Sequence, residues 1–212
     1  MSTIVGITDR AGFAANTDNL VLAEPDRRRL LWVPRDLWCP VLGDRVNVAY
    51  RNGGDEGLRA ALAEHGLEAE YSLVVTREAT EAALADVSVT VPVPARMVFE
   101  YPLEPTARIE DGSKTITFEP PAERLSGERI HQWLGARAGS DLHRITRQQF
   151  FVRRLLERGF DFGRLLDDPG RFRCSDPGAL EDLTGVDAGW ALETLDGLEP
   201  ATRESRMVLV RQ

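Results

Sequence analysis

Three arginines and a glutamine, Arg137, Arg144, Arg147 and Gln148, gather where a helix should begin, and that composition suits the gripping of phosphate. Ile145, Val152, Leu155 and Leu156 fall on one stripe at helical spacing. Gln148 lies inside that stripe, so its amide must find partners among apolar neighbours. Arg144 stands one turn earlier on the same face, which lets the two converge on one group at the core edge. Guanidinium forks match phosphate oxygens in shape as well as charge. A solvated arginine face is the alternative reading. Lys114 is the only lysine of the chain, an arginine bias that fits GC-rich coding as readily as phosphate chemistry.

A second set of charges falls at the ends of strand-like segments. Asp9 and Arg10 follow the first, Asp18 precedes the second, and Pro34-Arg35-Asp36 follows the third. Asp9 and Asp18 offer carboxylate oxygens to a hard cation, magnesium being the natural candidate, with positions left for water and phosphate. Taken singly, each aspartate also reads as a turn or cap.

These residues need a scaffold, and the chain reads as alternating strands and helices. Thr3 to Ile7, Asn19 to Ala23 and Leu30 to Pro34 are short apolar runs, the last two joined at Glu24-Pro-Asp as a hairpin. Asp55 to His65 is helical, with Leu58, Ala61 and Leu62 on one side and Gly66 as its stop. Tyr71 to Val75 reads as a strand, Arg77 to Ala85 as a helix and Val87 to Val93 as a strand. Residues 94 to 121 read as a surface excursion with a hairpin near Asp111-Gly112. Ser126 to Leu134 and Asp141 to Arg158 are helical, and the tail from Pro177 promises two short helices and a strand at Met207 to Val210. The expected fold is α/β (α+β mixed), a central mixed β-sheet flanked by helices, with 1–212 forming one domain. Chemistry then gathers at strand ends and the loops after them.

Composition narrows the function classes. The 212 residues are 42% hydrophobic and carry a formal net charge of −8, so the basic cluster is local and no nucleic-acid-coating surface is expected. Cys39 and Cys174 lie far apart, as free thiols or one disulfide, and His65, His131 and His143 follow no ligand spacing. No run approaches the roughly 20 apolar residues of a membrane span, and nothing near Met1 resembles a signal peptide. The expectation is a soluble, cytoplasmic chain without a membrane anchor, unless the sequence is a piece of an anchored, extracytoplasmic protein.

Six blocks resemble the LytR-CpsA-Psr catalytic domain in order and rough spacing. They are Asp9-Arg10, Thr17-Asp18-Asn-Leu-Val-Leu, Val33-Pro-Arg-Asp36, Arg45-Val-Asn-Val-Ala-Tyr50 with Gly53-Gly54, Leu125-Ser-Gly-Glu128, and Ser140-Asp-Leu-His-Arg144-Ile-Thr-Arg-Gln-Gln149. The resemblance covers nearly the whole chain. It implies a mixed sheet flanked by helices with an apolar prenyl-binding pocket, and a magnesium-dependent transfer of glycopolymers from a polyprenyl pyrophosphate carrier to peptidoglycan. It assigns Asp9 and Asp18 to the metal, and Arg35, Arg137, Arg144 and Gln148 to the pyrophosphate head, with Arg10 and Arg147 as further diphosphate contacts. Asp9, Arg35, Arg137 and Arg144 carry the catalytic assignments, because charge on the leaving phosphate is what such a site must neutralise.

Two positions depart from the family pattern: Asn16 and Gly135 stand where arginines are usual. Together with the anchorless appearance and the Met1-Ser-Thr start, they tilt the expected substrate toward a small, soluble prenyl diphosphate, cleaved or ionised so that its chain is hydrolysed, transferred or cyclised as in terpenoid biosynthesis. Glycopolymer transfer is the first alternative, and a non-catalytic prenyl-phosphate-binding protein the second. Retention of both aspartates and of the Arg144–Gln148 face speaks against the last.

Overall fold

The computed structural model describes all residues except 105–106, 108, 137–140, 196–197, 202–205 and 210–212, and the backbone alone of 198–201 and 206–209. In chain order the strands and helices are β1 (Thr3–Thr8), β2 (Thr17–Glu24), β3 (Arg29–Val33), the two-residue β4 (Trp38–Cys39) and β5 (Asp44–Arg45), α1 (Ala49–Ala63), β6 (Tyr71–Val75), α2 (Arg77–Ala83), β7 (Ser88–Pro92), β8 (Met97–Pro102), β9 (Ser113–Phe118), β10 (Ala122–Ser126), α3 (Glu128–Gly135), α4 (Asp141–Glu157), β11 (Phe172–Cys174), α5 (Gly178–Thr184), β12 (Ala191–Thr194), β13 (Leu198–Ala201) and β14 (Arg206–Leu209). They form two compact units, Met1–Thr80 with Asp161–Gln212, and Glu81–Phe160.

The first unit is built on a six-stranded sheet in the order β11-β6-β1-β2-β3-β12. It is mixed: β1 runs antiparallel to β2 and parallel to β6, while β12 runs parallel to β3. The predicted hairpin is present, β2 turning into β3 through Pro25–Arg27 with Arg28 left-handed at φ 47°. Strand alternation sorts the faces. Ile4, Leu20, Leu22 and Val74 join Leu58, Ala61 and Leu62 of α1 in the main core. Thr3 points the other way and donates to Asp182 of α5 at 2.7 Å, which puts the two helices on opposite faces.

Helix α1 begins at Ala49, six residues before the start predicted from periodicity, yet its backbone leaves the helical region at Gly54 (φ 58°, ψ −150°). Asp55 is therefore where the apolar repeat restarts after a break that only glycine accommodates without strain. In the tail only one helix, α5, follows Pro177 among the described residues. The tail also holds β12, whose extended form is imposed by main-chain pairing with β3.

In the second unit β8 and β9 form the predicted hairpin and β7 pairs with β10. Residues 94 to 121 are more than a surface excursion, because Phe118 is fully buried and meets Trp133 of α3 edge-on at 5.1 Å. Helix α4 starts at the predicted Asp141, with Ile145, Phe151, Leu155 and Leu156 buried.

Candidate functional site

Antiparallel pairing of β1, β2 and β3 brings the end of β1, the start of β2 and the end of β3 to one edge of the sheet, and with them Asp9, Asp18 and Arg35. Ile7 pairs with Asn19 but Thr8 with Thr17, so Asp18 is the extra residue of a β-bulge. A bulge redirects side chains at such rims. The loop between the carboxylates is closed at its base, Asp9 N–H donating to the Asn16 carbonyl at 2.8 Å and Asn16 N–H to Asp9 Oδ1 at 3.1 Å.

Charges alternate through this cluster. Arg35 donates to Asp18 Oδ2 at 2.7 Å and lies 3.8 Å from Asp36, which Arg45 reaches at 3.2 Å. Arg10 sits 3.6 Å from Asp9 Oδ1. Asn47 ties the strand ends together, its N–H donating to the Arg35 carbonyl at 3.3 Å and its carbonyl accepting the Thr17 hydroxyl at 3.1 Å. Burial first, and the negative charge of Asp18 second, push the Asp9 carboxyl above its ordinary range, against the pull of Arg10 and the Asn16 N–H. Two carboxylates at one sheet edge, the charge of one raising the other, suit a hard divalent cation, which would relieve both effects. Among the described residues no group of three or more His, Cys, Asp or Glu side chains is placed to hold a metal, so further oxygens would have to come from water or substrate. Sequence reasoning gave no role to Asp36 or Arg45, although both stand in the quoted blocks.

The basic residues of the second unit have structural partners. Arg144 is buried and bridges Asp141 at 2.6 Å, both side chains about 5% exposed or less. Arg147 donates to the main-chain carbonyls of Trp133 and Ala136, and Gln148 to that of Leu134 at 3.2 Å. These are carbonyls at the C-terminal end of α3, the acceptors that a helix leaves unsatisfied. The partner that Gln148 requires within its apolar stripe is thus a helix end. Burial, followed by the charge of Arg144, lowers the Arg147 guanidinium to about 10, which leaves it cationic at neutral pH. Arg137 lies outside the described residues.

Of the two alternatives left for the cysteines, both are free thiols; buried Cys39 donates to Glu64 at 3.0 Å, and burial pushes its thiol up to about 11. Among the described residues no helix is long and apolar enough to cross a membrane.

A profile of the LytR_cpsA_psr family matches residues 4–169. Among solved structures, TagT bound to LI-WTA is similar at a TM-score of 0.65 and 16% identity, covering 99% of this chain and 84% of that one. B. subtilis TagV is similar at 0.62 and 15%, covering 99% and 89%, and protein gbs0355 from Streptococcus agalactiae at 0.66 and 16%, covering 99% and 82%. At these identities the likeness is one of fold. No curated protein matches the chain by sequence.

Proposed function

The chain belongs to the LytR_cpsA_psr family, whose members attach glycopolymers to peptidoglycan, and from that premise we propose a phosphotransferase acting on a polyprenyl-pyrophosphate-linked glycopolymer. The observation that carries this reading is the Asp9–Asp18–Arg35 cluster at the sheet edge. An acceptor hydroxyl attacks the phosphorus that bears the sugar. The P–O–P bridge breaks, polyprenyl monophosphate leaves, and the hydroxyl proton passes to solvent. Arg35, one of the least exposed charges of the cluster, offers a guanidinium fork to phosphate oxygens as negative charge shifts toward the leaving group. Asp36 and Arg45 hold that fork in place. Arg10 neutralises Asp9 and adds positive charge at the start of the loop. Asp9 and Asp18 would hold magnesium, which when bound supplies positive charge to the pyrophosphate. The resemblance also names Arg137, Arg144, Arg147 and Gln148 as phosphate ligands; within the second unit Arg144 pairs with Asp141, and Arg147 and Gln148 hold carbonyls at the end of α3.

Family membership supports this substrate class above the small prenyl diphosphate toward which Asn16 and Gly135 tilt the sequence. Neither departure supplies lyase or cyclase chemistry. Mass spectrometry separates the readings when the protein is incubated with undecaprenyl-pyrophosphate-linked disaccharide plus peptidoglycan and, separately, with farnesyl diphosphate. Undecaprenyl monophosphate together with sugar-phosphate on the wall polymer is the expected result. A cyclic hydrocarbon or farnesol, with no transfer, would overturn it.

Replacement of Asp9 or Asp18 by asparagine is expected to abolish Mn2+ binding measured by electron paramagnetic resonance. Asparagine keeps the acceptor that Asp9 offers to the Asn16 N–H and removes the repulsion from Asp18. A raised folded-state carboxyl binds its proton more tightly folded than unfolded, so its contribution favours folding at low pH and is lost as pH rises through the folded value. In EDTA the melting temperature of Asp9→Asn should therefore gain on the parent as pH rises from acid to neutral. Unchanged Mn2+ titrations in both variants would remove the metal from the proposal.

A further inference from the structure

The loop that joins the two carboxylates is held by more than its base. At its crest Gly12, in the left-handed region at φ 72°, presents its N–H to Glu78 at 3.4 Å. The next residue, Phe13, is half-buried against the main core of the first unit and carries the Arg173 guanidinium 4.5 Å above its ring. Arg173 comes from β11, a three-residue edge strand beyond the residues matched by the family profile. The same guanidinium lies against the Tyr50 hydroxyl of α1, where it offsets the upward push of burial and of Asp55 on the phenol. It therefore spans the sheet edge, the first turn of α1 and the loop crest.

The chain from Asp9 to Asp18 has one large side chain facing inward, Phe13. Ala11 and Ala14 on either side of Gly12-Phe13 are exposed, so the ring is the loop's anchor. A cation over an aromatic face is attracted by the ring quadrupole, and the contact constrains where the ring can sit. With the base fixed by the Asp9–Asn16 hydrogen bonds, the position of Phe13 sets the path of the backbone between them.

We propose that Arg173 is a positioning residue for cation binding, clamping Phe13 so that the loop between Asp9 and Asp18 keeps both carboxylates available to one divalent ion. The inference rests on the reading of those aspartates as metal ligands. No contact between Arg173 and substrate is needed, and its effect passes through Phe13.

Calorimetric or resonance titration of the full chain with Mn2+, without substrate, tests it. Arg173→Ala and Phe13→Ala should each weaken binding roughly fivefold, the scale of one exposed cation–π contact. The double variant should be no weaker than the worse single, because both remove the same clamp. Arg173→Lys, which keeps a cation for the ring, should recover part of the loss. Melting in EDTA should barely change for Arg173→Ala, since the side chain is exposed. Parent-like affinity in Arg173→Ala, or additive losses in the double variant, overturns the inference; if Asp9→Asn meanwhile loses the ion, the metal site itself stands. Parent-like binding in Asp9→Asn and Asp18→Asn would overturn both together.

Discussion

Arg144→Ala is expected to destabilise the protein by about 3–5 kcal/mol, because it removes one partner of an ion pair whose side chains are 5% and 4% exposed. For a chain of this size that corresponds to a fall in melting temperature of roughly 10 °C. From sequence, Arg144 stands at the core edge with a role toward phosphate, where its loss would affect turnover rather than stability. The double variant Arg144→Met with Asp141→Leu separates the roles. Replacing both charges by apolar groups of similar size should restore most of the stability. Transfer that stays lost in this restored protein assigns Arg144 to the pyrophosphate. Transfer that returns assigns it to the start of α4 alone. A melting temperature for Arg144→Ala within about two degrees of the parent would show that the pair contributes nothing, contrary to its burial.

Arg35→Ala is expected to lower kcat/KM for glycopolymer transfer roughly 10²–10³-fold, the usual consequence of removing one preorganised charge from the position where negative charge develops. The side chain is 12% exposed and bonds Asp18, so the loss acts twice: phosphate loses a fork, and Asp18 loses its nearest positive neighbour. Arg35→Lys should recover only part of the rate, since a point charge cannot meet two oxygens in the geometry of a guanidinium. Arg45→Ala should lose less, because Arg45, 3.2 Å from Asp36, braces the fork rather than supplying it. Steady-state rates for the three variants at saturating magnesium check the order. Turnover in Arg35→Ala equal to that of the parent would take the arginine out of the reaction.

Much of this was legible in the residues. Short apolar runs located β1, β3 and β6 to within a residue at each end and β2 to within two, and the Glu24-Pro-Asp turn located the hairpin, because those signals are local. The meeting of Asp18 and Arg35 at one end of the sheet followed from reading β2 and β3 as a hairpin, whereas Asp9 joins them through the antiparallel pairing of β1 with β2. Helix α1 gave up its restart at Asp55 but not the helical turn before it, since Ala49 to Gly53 carries no repeat long enough to register.

Other features had no local signal. Strands β11 and β12 are three and four residues long and are extended because a sheet edge offers them main-chain partners, which nothing in their own composition announces. Likewise, the stripe on α4 showed that Gln148 must be buried, but not by what. Helical periodicity fixes the face on which a side chain lies; the group that satisfies it belongs to whatever packs against that face, here the carbonyl of Leu134, fourteen residues away in sequence. Arg173 is the clearest case, for no spacing connects it to Phe13, and only the ordering of β11 beside β6 carries its guanidinium to the loop between the two aspartates. The sequence by itself determined which residues have the chemistry for phosphate and which segments alternate apolar and polar, both being properties of a residue and its near neighbours. The tertiary structure alone decided how that chemistry is divided between holding the fold and facing a ligand, because a charge commits to the partner that folding brings closest.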